Sequence, residues 1–150
     1  AATVAVAALS RRWKHSLPDA SRLARRAAKA TLVAASRGPA EVSLALADDA
    51  AVRALNRDFR GKDQPTNVLS FESGERPFLG DVVLAAETVI AEAEAQGKTA
   101  ADHLAHLVVH GVLHLLGHDH GTAAEARRME RIEVDILAGL GVRDPYEARR

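Results

Sequence analysis

Six of the seven histidines fall between positions 103 and 120. Within His110-Gly-Val-Leu-His114-Leu-Leu-Gly117-His118-Asp119-His120, the first two stand four positions apart. On an α-helix that spacing sets both imidazoles on one face, with Cβ atoms about 5–6 Å apart. One metal ion can take both. Gly117 can adopt positive φ, end the helix and turn the chain back, so that a third imidazole returns to the same point. His118 and His120 both lie within reach of that reversal, and His120 is the favoured third ligand. Three protein nitrogens leave a fourth position open, the pattern of catalytic rather than structural zinc. The chain has no cysteine, so disulfides and thiolate ligands are excluded and any metal must be held by nitrogen and oxygen.

The remaining histidines have blander roles. His106 and His103 lie one and two turns before His110 and are expected at the surface or behind the ligands. The spacing of the three matches the zincin pattern HExxHxxGxxH with one change, Gly111 where those peptidases carry a glutamate base. Loss of a positioned base costs on the order of a hundredfold in rate. The metal site survives the change, and the inference to proteolysis does not. A second alternative is zinc as a structural clip in a non-catalytic module, opposed by the open fourth position.

The elements that must position these residues follow from periodicity. TVAVAA (3–8) and EVSLALA (41–47) read as strands, and VLSFE (68–72) with LGDVVLA (79–85) as a hairpin. Helical spacing runs from Asp19 to about Ala35, over a short segment capped by Asp48 or Asp49 and carrying Val52, Leu55 and Phe59, and over about 86–96, 100–116 and 122–138. Thr99 is placed to cap the third of these long helices. RGKDQPTN (60–67) is loop chemistry. The expected fold is one α+β domain over residues 1–150, a small mixed sheet of about four strands packed with about five helices. The metal site sits at the end of a central helix.

Composition sets bounds. Of 150 residues, 47% are apolar and 27% charged, which is globular composition. No run of 18 apolar residues appears, so no membrane span is expected. The opening AATVAVAALSRRWK has its apolar stretch before its basic residues, the reverse of a secretion signal. Net charge is zero, yet residues 1–40 carry eight Lys/Arg against Asp19 alone, and residues 41–150 carry twelve against nineteen acidic groups. A basic face can attract a polyanion even on a neutral protein. Arg22, Arg25 and Arg26 are the candidates there, against the alternative of an ordinary solvated helix face.

Three segments, LNRDFRGKDQPTNVLSF (55–71), LGDVVLA (79–85) and HLVVHGVLHLLGHDH (106–120), resemble the YbeY family of bacterial endoribonucleases. MERIEVDILAGLG (129–141) resembles it more weakly. The resemblance implies a cytosolic, zinc-dependent enzyme with one ion per chain on His110, His114 and His120. It implies cleavage of single-stranded RNA, trimming of the 3′ end of small-subunit ribosomal RNA, and ribosome quality control, with no membrane or DNA partner. The family's functional arginine falls on Arg60, so Arg60 and His114 are the expected catalytic residues. Arg60, Lys62 and the three helix arginines are the expected RNA contacts. Arg60 offers a planar donor fork suited to phosphate; pairing with Asp58 or Asp63 is its structural alternative. Aromatics at 3% leave affinity mainly to phosphate contacts. Asp119 and Asp81 are expected in turns or caps rather than in catalysis.

Overall fold

Apolar side chains along residues 40–47 and 78–85 build the two central strands of the computed structural model, which describes residues 2–64 and 66–147. Position 65 of the expected 60–67 loop and both chain ends therefore lie outside the described residues. The strands are β1 (Ala2–Ala8), β2 (Ala40–Ala47), β3 (Val68–Glu72) and β4 (Phe78–Ala85), in the order β1-β2-β4-β3. β1, β2 and β4 run parallel, and β3 returns antiparallel to β4 as the expected hairpin. The helices are α1 (Arg11–Ser16), α2 (Ala20–Ala35), α3 (Asp49–Arg60), α4 (Ala86–Ala95), α5 (Ala100–Leu115) and α6 (Ala123–Gly139).

The architecture is the expected α+β one, with α1 added. Only Trp13 is buried on α1, so no apolar repeat marks it. Ser10 caps it by accepting the Arg12 N–H, and the Trp13 indole N–H donates to Ala47 O at 2.8 Å. Along β4, Val82 and Leu84 join the main core, while Val83 and Ala85 join a smaller cluster with Leu69 and Val52. Consecutive side chains thus serve opposite faces. α2 and α5 cover the larger face; α3 covers the other.

α3 extends one residue further than expected, placing Arg60 on its last turn rather than in the following loop. Gly61 stops it, with φ 68°, a left-handed conformation that glycine adopts without steric penalty. Phe59 does not join the apolar face: it is 70% exposed and meets Phe71 edge-on at 5.8 Å. Both candidate caps are used, in different ways. Asp48 accepts the Ala51 N–H within its own helix. Asp49 reaches across to the first turn of α4, accepting from Thr88 N–H at 3.0 Å and its hydroxyl at 2.7 Å. That helix has no side-chain cap of its own.

α5 packs tightly against the sheet at Gly111. A Cβ there would meet Val82 Cγ1 at 2.7 Å and Ser70 Oγ at 3.2 Å, and the Ser70 hydroxyl donates to Gly111 O at 3.0 Å. Glycine inside a helix costs roughly 1 kcal/mol against alanine, and this contact is the reason to carry it. Among the described residues, no helix is long and apolar enough to cross a membrane.

Gly111→Ala tests the contact. Overpacking typically costs about 1–3 kcal/mol, enough to outweigh the gain in helix propensity. A drop of several degrees in the melting temperature, followed by circular dichroism, is expected. A variant as stable as the parent would show that the approach has slack.

Candidate metal centre

Thr99 starts α5 by accepting the Asp102 N–H at 3.1 Å, and a glycine reversal ends it. Gly117 N–H donates to His114 O and His118 N–H to Leu113 O, each at 3.0 Å, with Gly117 at φ 97°. This pair of bonds is the Schellman arrangement. It commits the backbone of His118 to the cap and sends the chain back two residues later. Asp119 then accepts the N–H of His120 at 2.7 Å, a turn role.

The result brings His110, His114 and His120 together, with one ring nitrogen from each within 4.8 Å of the others. The Nε2 atoms of His110 and His114 face each other at 3.1 Å. The His120 ring centre lies 5.7 Å from that of His110 and 5.1 Å from that of His114. His118 joins no such group among the described residues. Two imidazole nitrogens aimed at each other repel unless a proton or a cation sits between them. A tetrahedral zinc site with bonds of about 2.0–2.1 Å would separate its nitrogens by about 3.3–3.4 Å. The donor set and its spacing therefore fit a divalent ion. Burial, and then the neighbouring His110 and His120, lower the pKa of His114 against the opposing pull of Asp119 and Glu133, which favours the neutral, ligating form.

Sequence reasoning missed the group behind these rings. Glu133 of α6 is 0% exposed, and its Oε2 lies 3.0 Å from His110 Nδ1 and 3.2 Å from His106 Nε2. The Tyr146 hydroxyl donates to Oε1 at 2.7 Å. Burial alone would push this carboxyl up, but the bonds from His106, His110 and Tyr146 outweigh it and hold the group down at about 2. His106, His110 and Glu133 also stand close enough to hold an ion. Their 3.0–3.2 Å separations are hydrogen-bond lengths, and the trio reads as a buried network. A signal was present: Glu133 shares its helix face with buried Met129, Ile136 and Leu137, and a carboxylate on an apolar stripe needs partners. Tyr146 left no such trace.

The triad opens into a cavity of about 560 Å³, whose other walls include Asn56, Arg60, Lys62, Gln64, Ser70 and Glu72. Arg60 bonds neither Asp58 nor Asp63, which pair with Arg57 and Arg53 at 2.9 and 2.7 Å. Its guanidinium donates to Ser70 O on the open edge of β3 and lies 5.2 Å from the Phe71 ring centre, within cation–π range. Lys62 shares the cavity. Asn56 ties the intervening loop by donating to Gln64 O at 3.0 Å. At the loop's end, Asn67 donates to Glu92 at 2.9 Å, and the same carboxylate oxygen lies 2.9 Å from His103 Nε2. His103 is thus interior, 3% exposed, with its pKa lowered by burial despite Glu92.

The other candidates stand apart. Arg22, Arg25 and Arg26 are exposed on α2, and none lines the histidine cavity. Arg22 pairs with Asp19 at 3.0 Å, and Arg25 reaches Val4 O at 3.5 Å. Asp81 is exposed on β4 and does not line the cavity either.

A family model described as Endoribonuclease YbeY matches residues 8–141. The chain is 54% identical over 146 residues to "Endoribonuclease YbeY" of Paramagnetospirillum magneticum, covering 89% of each chain. It is 55% identical over 141 residues to the protein of the same name from Azorhizobium caulinodans, covering 87% of each. The solution structure of TM1509 from Thermotoga maritima superposes with a TM-score of 0.57 at 22% identity, over 91% of each chain, a likeness of fold.

The geometry leads to a stoichiometry. One divalent transition-metal ion per chain is expected by elemental analysis after gel filtration, and His110→Ala or His114→Ala should abolish it. His120→Ala should weaken retention and His118→Ala should not. Metal lost from the His118 variant instead would reassign the third ligand.

Proposed function

The chain belongs to the YbeY family of endoribonucleases, and on that premise we propose that its histidine centre binds one zinc ion and serves the cleavage of single-stranded RNA. The reaction belongs to ribosomal RNA processing, at the 3′ end of small-subunit RNA and in ribosome quality control. The partners in this reading are ribosomal RNA and the small ribosomal subunit, met in the cytoplasm; no membrane or DNA is involved.

One observation carries the reading: the cavity wall beside the three imidazoles holds two cations, Arg60 and Lys62. Phosphodiester cleavage builds negative charge on phosphoryl oxygens, and preorganised cations stabilise that charge. A zinc ion on His110, His114 and His120 would supply Lewis-acid charge to the same phosphate. The chain's own groups do the rest. Ser70 O and the Phe71 face hold the Arg60 guanidinium at the cavity, where its remaining N–H groups can grip phosphate oxygens. Lys62 adds a mobile charge for the next phosphate along the strand. Arg22, Arg25 and Arg26 attract the polyanion from a distance, without reaching the reacting atoms.

Two features oppose proteolysis. The position of the absent glutamate is packed against Val82 and Ser70, so a longer side chain there would meet the sheet. Extended peptides bind by adding a strand to an open sheet edge, and on β3 Arg60 already occupies Ser70 O. A structural clip fits poorly with three nitrogens opening into a 560 Å³ cavity, since structural zinc is usually closed by four protein ligands.

Arg60 and the α2 arginines should separate in experiment. Arg60→Ala should lower single-turnover cleavage of RNA on the order of 10²-fold or more, as for loss of one transition-state donor, with the metal retained. Replacing Arg22, Arg25 and Arg26 together by alanine should weaken RNA affinity for all sequences alike and flatten its salt dependence. Unchanged cleavage by Arg60→Ala at saturating RNA would remove that residue from the chemistry. An unchanged salt slope would return the α2 arginines to an ordinary solvated face. Cleavage of casein in proportion to zinc content, with RNA left intact, would overturn the nuclease reading.

A further inference from the structure

Among the described residues, Glu133 is a fully buried charge with three side-chain partners, and the cleavage chemistry makes no direct use of it. It does not line the cavity that carries Arg60 and Lys62. Its three partners come from two places, His106 and His110 on α5 and Tyr146 beyond the end of α6. Tyr146 is itself seated: its backbone N–H donates to Asp144 at 2.8 Å, and its hydroxyl oxygen lies 3.0 Å from His106 Nε2.

The chemistry of these bonds fixes more than position. A carboxylate only accepts, so the proton at the 3.0 Å contact sits on His110 Nδ1. A neutral imidazole has one N–H, so Nε2 of His110 is left as a bare lone pair. That atom is the one facing His114 Nε2 at 3.1 Å. With Oε1 engaged by Tyr146 and Oε2 by the two histidines, the carboxylate cannot rotate without stranding a buried oxygen. A flipped His110 ring would lose its acceptor.

We propose that Glu133, clasped by the Tyr146 hydroxyl from the C-terminal segment, is a positioning residue that sets the tautomer and ring orientation of His110 for metal binding. The inference rests on the zinc reading above and adds a dependence to it: the last described residues of the chain tune an ion held at the end of α5. Partners of this kind commonly govern metal affinity by about 10–100-fold.

The test uses the full chain, stripped of metal, in three forms: wild type, Glu133→Gln and Tyr146→Phe. Zinc affinity is measured by competition with a chromophoric chelator, and cobalt(II) reports ligand geometry through its visible spectrum. Glu133→Gln should bind zinc about 10–100-fold more weakly and shift the cobalt bands. Tyr146→Phe should show a smaller loss in the same direction. A purely structural Glu133 would lower the melting temperature of the metal-free protein while leaving zinc affinity and the cobalt spectrum unchanged, and that result overturns the proposal. Should Glu133→Gln fail to fold, Tyr146→Phe decides, and unaltered affinity there overturns it equally. A wild-type chain that takes up neither ion overturns the zinc reading and this proposal with it. Variants that match a zinc-binding wild type overturn this proposal alone.

Discussion

The contact between Gly111 and the sheet sets the geometry of everything around it. Because no Cβ intervenes, α5 settles onto Val82 and Ser70, and His110 and His114 arrive level with the open edge of β3. Ser70 is the shared vertex. Its hydroxyl holds the helix through Gly111 O, and its carbonyl holds the Arg60 guanidinium. One strand residue therefore keeps the histidine side and the Arg60 side of the cavity in register. The same close packing fills the position where a peptidase would need its base.

Charge is layered across this centre. The buried anion, Glu133, stands behind the rings, and the cations Arg60 and Lys62 stand in the cavity before them. Between the two, burial lowers the pKa of His114 and so favours its uncharged form. An isolated buried carboxylate would be costly, so three hydrogen bonds from two segments are the condition for Glu133 to be there. The rings thus take their order from Glu133, His106 and Tyr146, none of which lines the cavity of the triad.

Much of this was legible because metal ligation is a local pattern. His110 and His114 share a helix face, and Gly117 announces the reversal; both follow from residue type and spacing alone. The hairpin, the long helices and the α+β class were equally readable, since each rests on a run of periodic apolar residues. Reading failed where position depends on a distant partner. Nothing near Tyr146 reveals that its hydroxyl meets Glu133. His103, expected at the surface or behind the ligands, is instead an interior partner of Glu92, whose same oxygen accepts from Asn67. α1 has one buried residue and so no period. Arg60 was assigned to a loop because Gly61, a helix stop, reads locally like a turn residue. The basic excess of residues 1–40 was plain in the sequence, but composition does not say which face it covers.

The ligands also share a sequence neighbourhood that the remainder of the site lacks. His110, His114 and His120 come from one eleven-residue stretch, whereas Arg60 lies fifty positions before it and Glu133 thirteen after. A helix and its terminal turn form in about a microsecond, while contacts between distant segments must first meet the entropy of closing long loops. During folding, then, the histidine corner can take shape ahead of the cavity wall that carries Arg60 and Lys62. The histidine corner is local in sequence, and the wall that carries Arg60 and Lys62 joins it only when the strand edge docks.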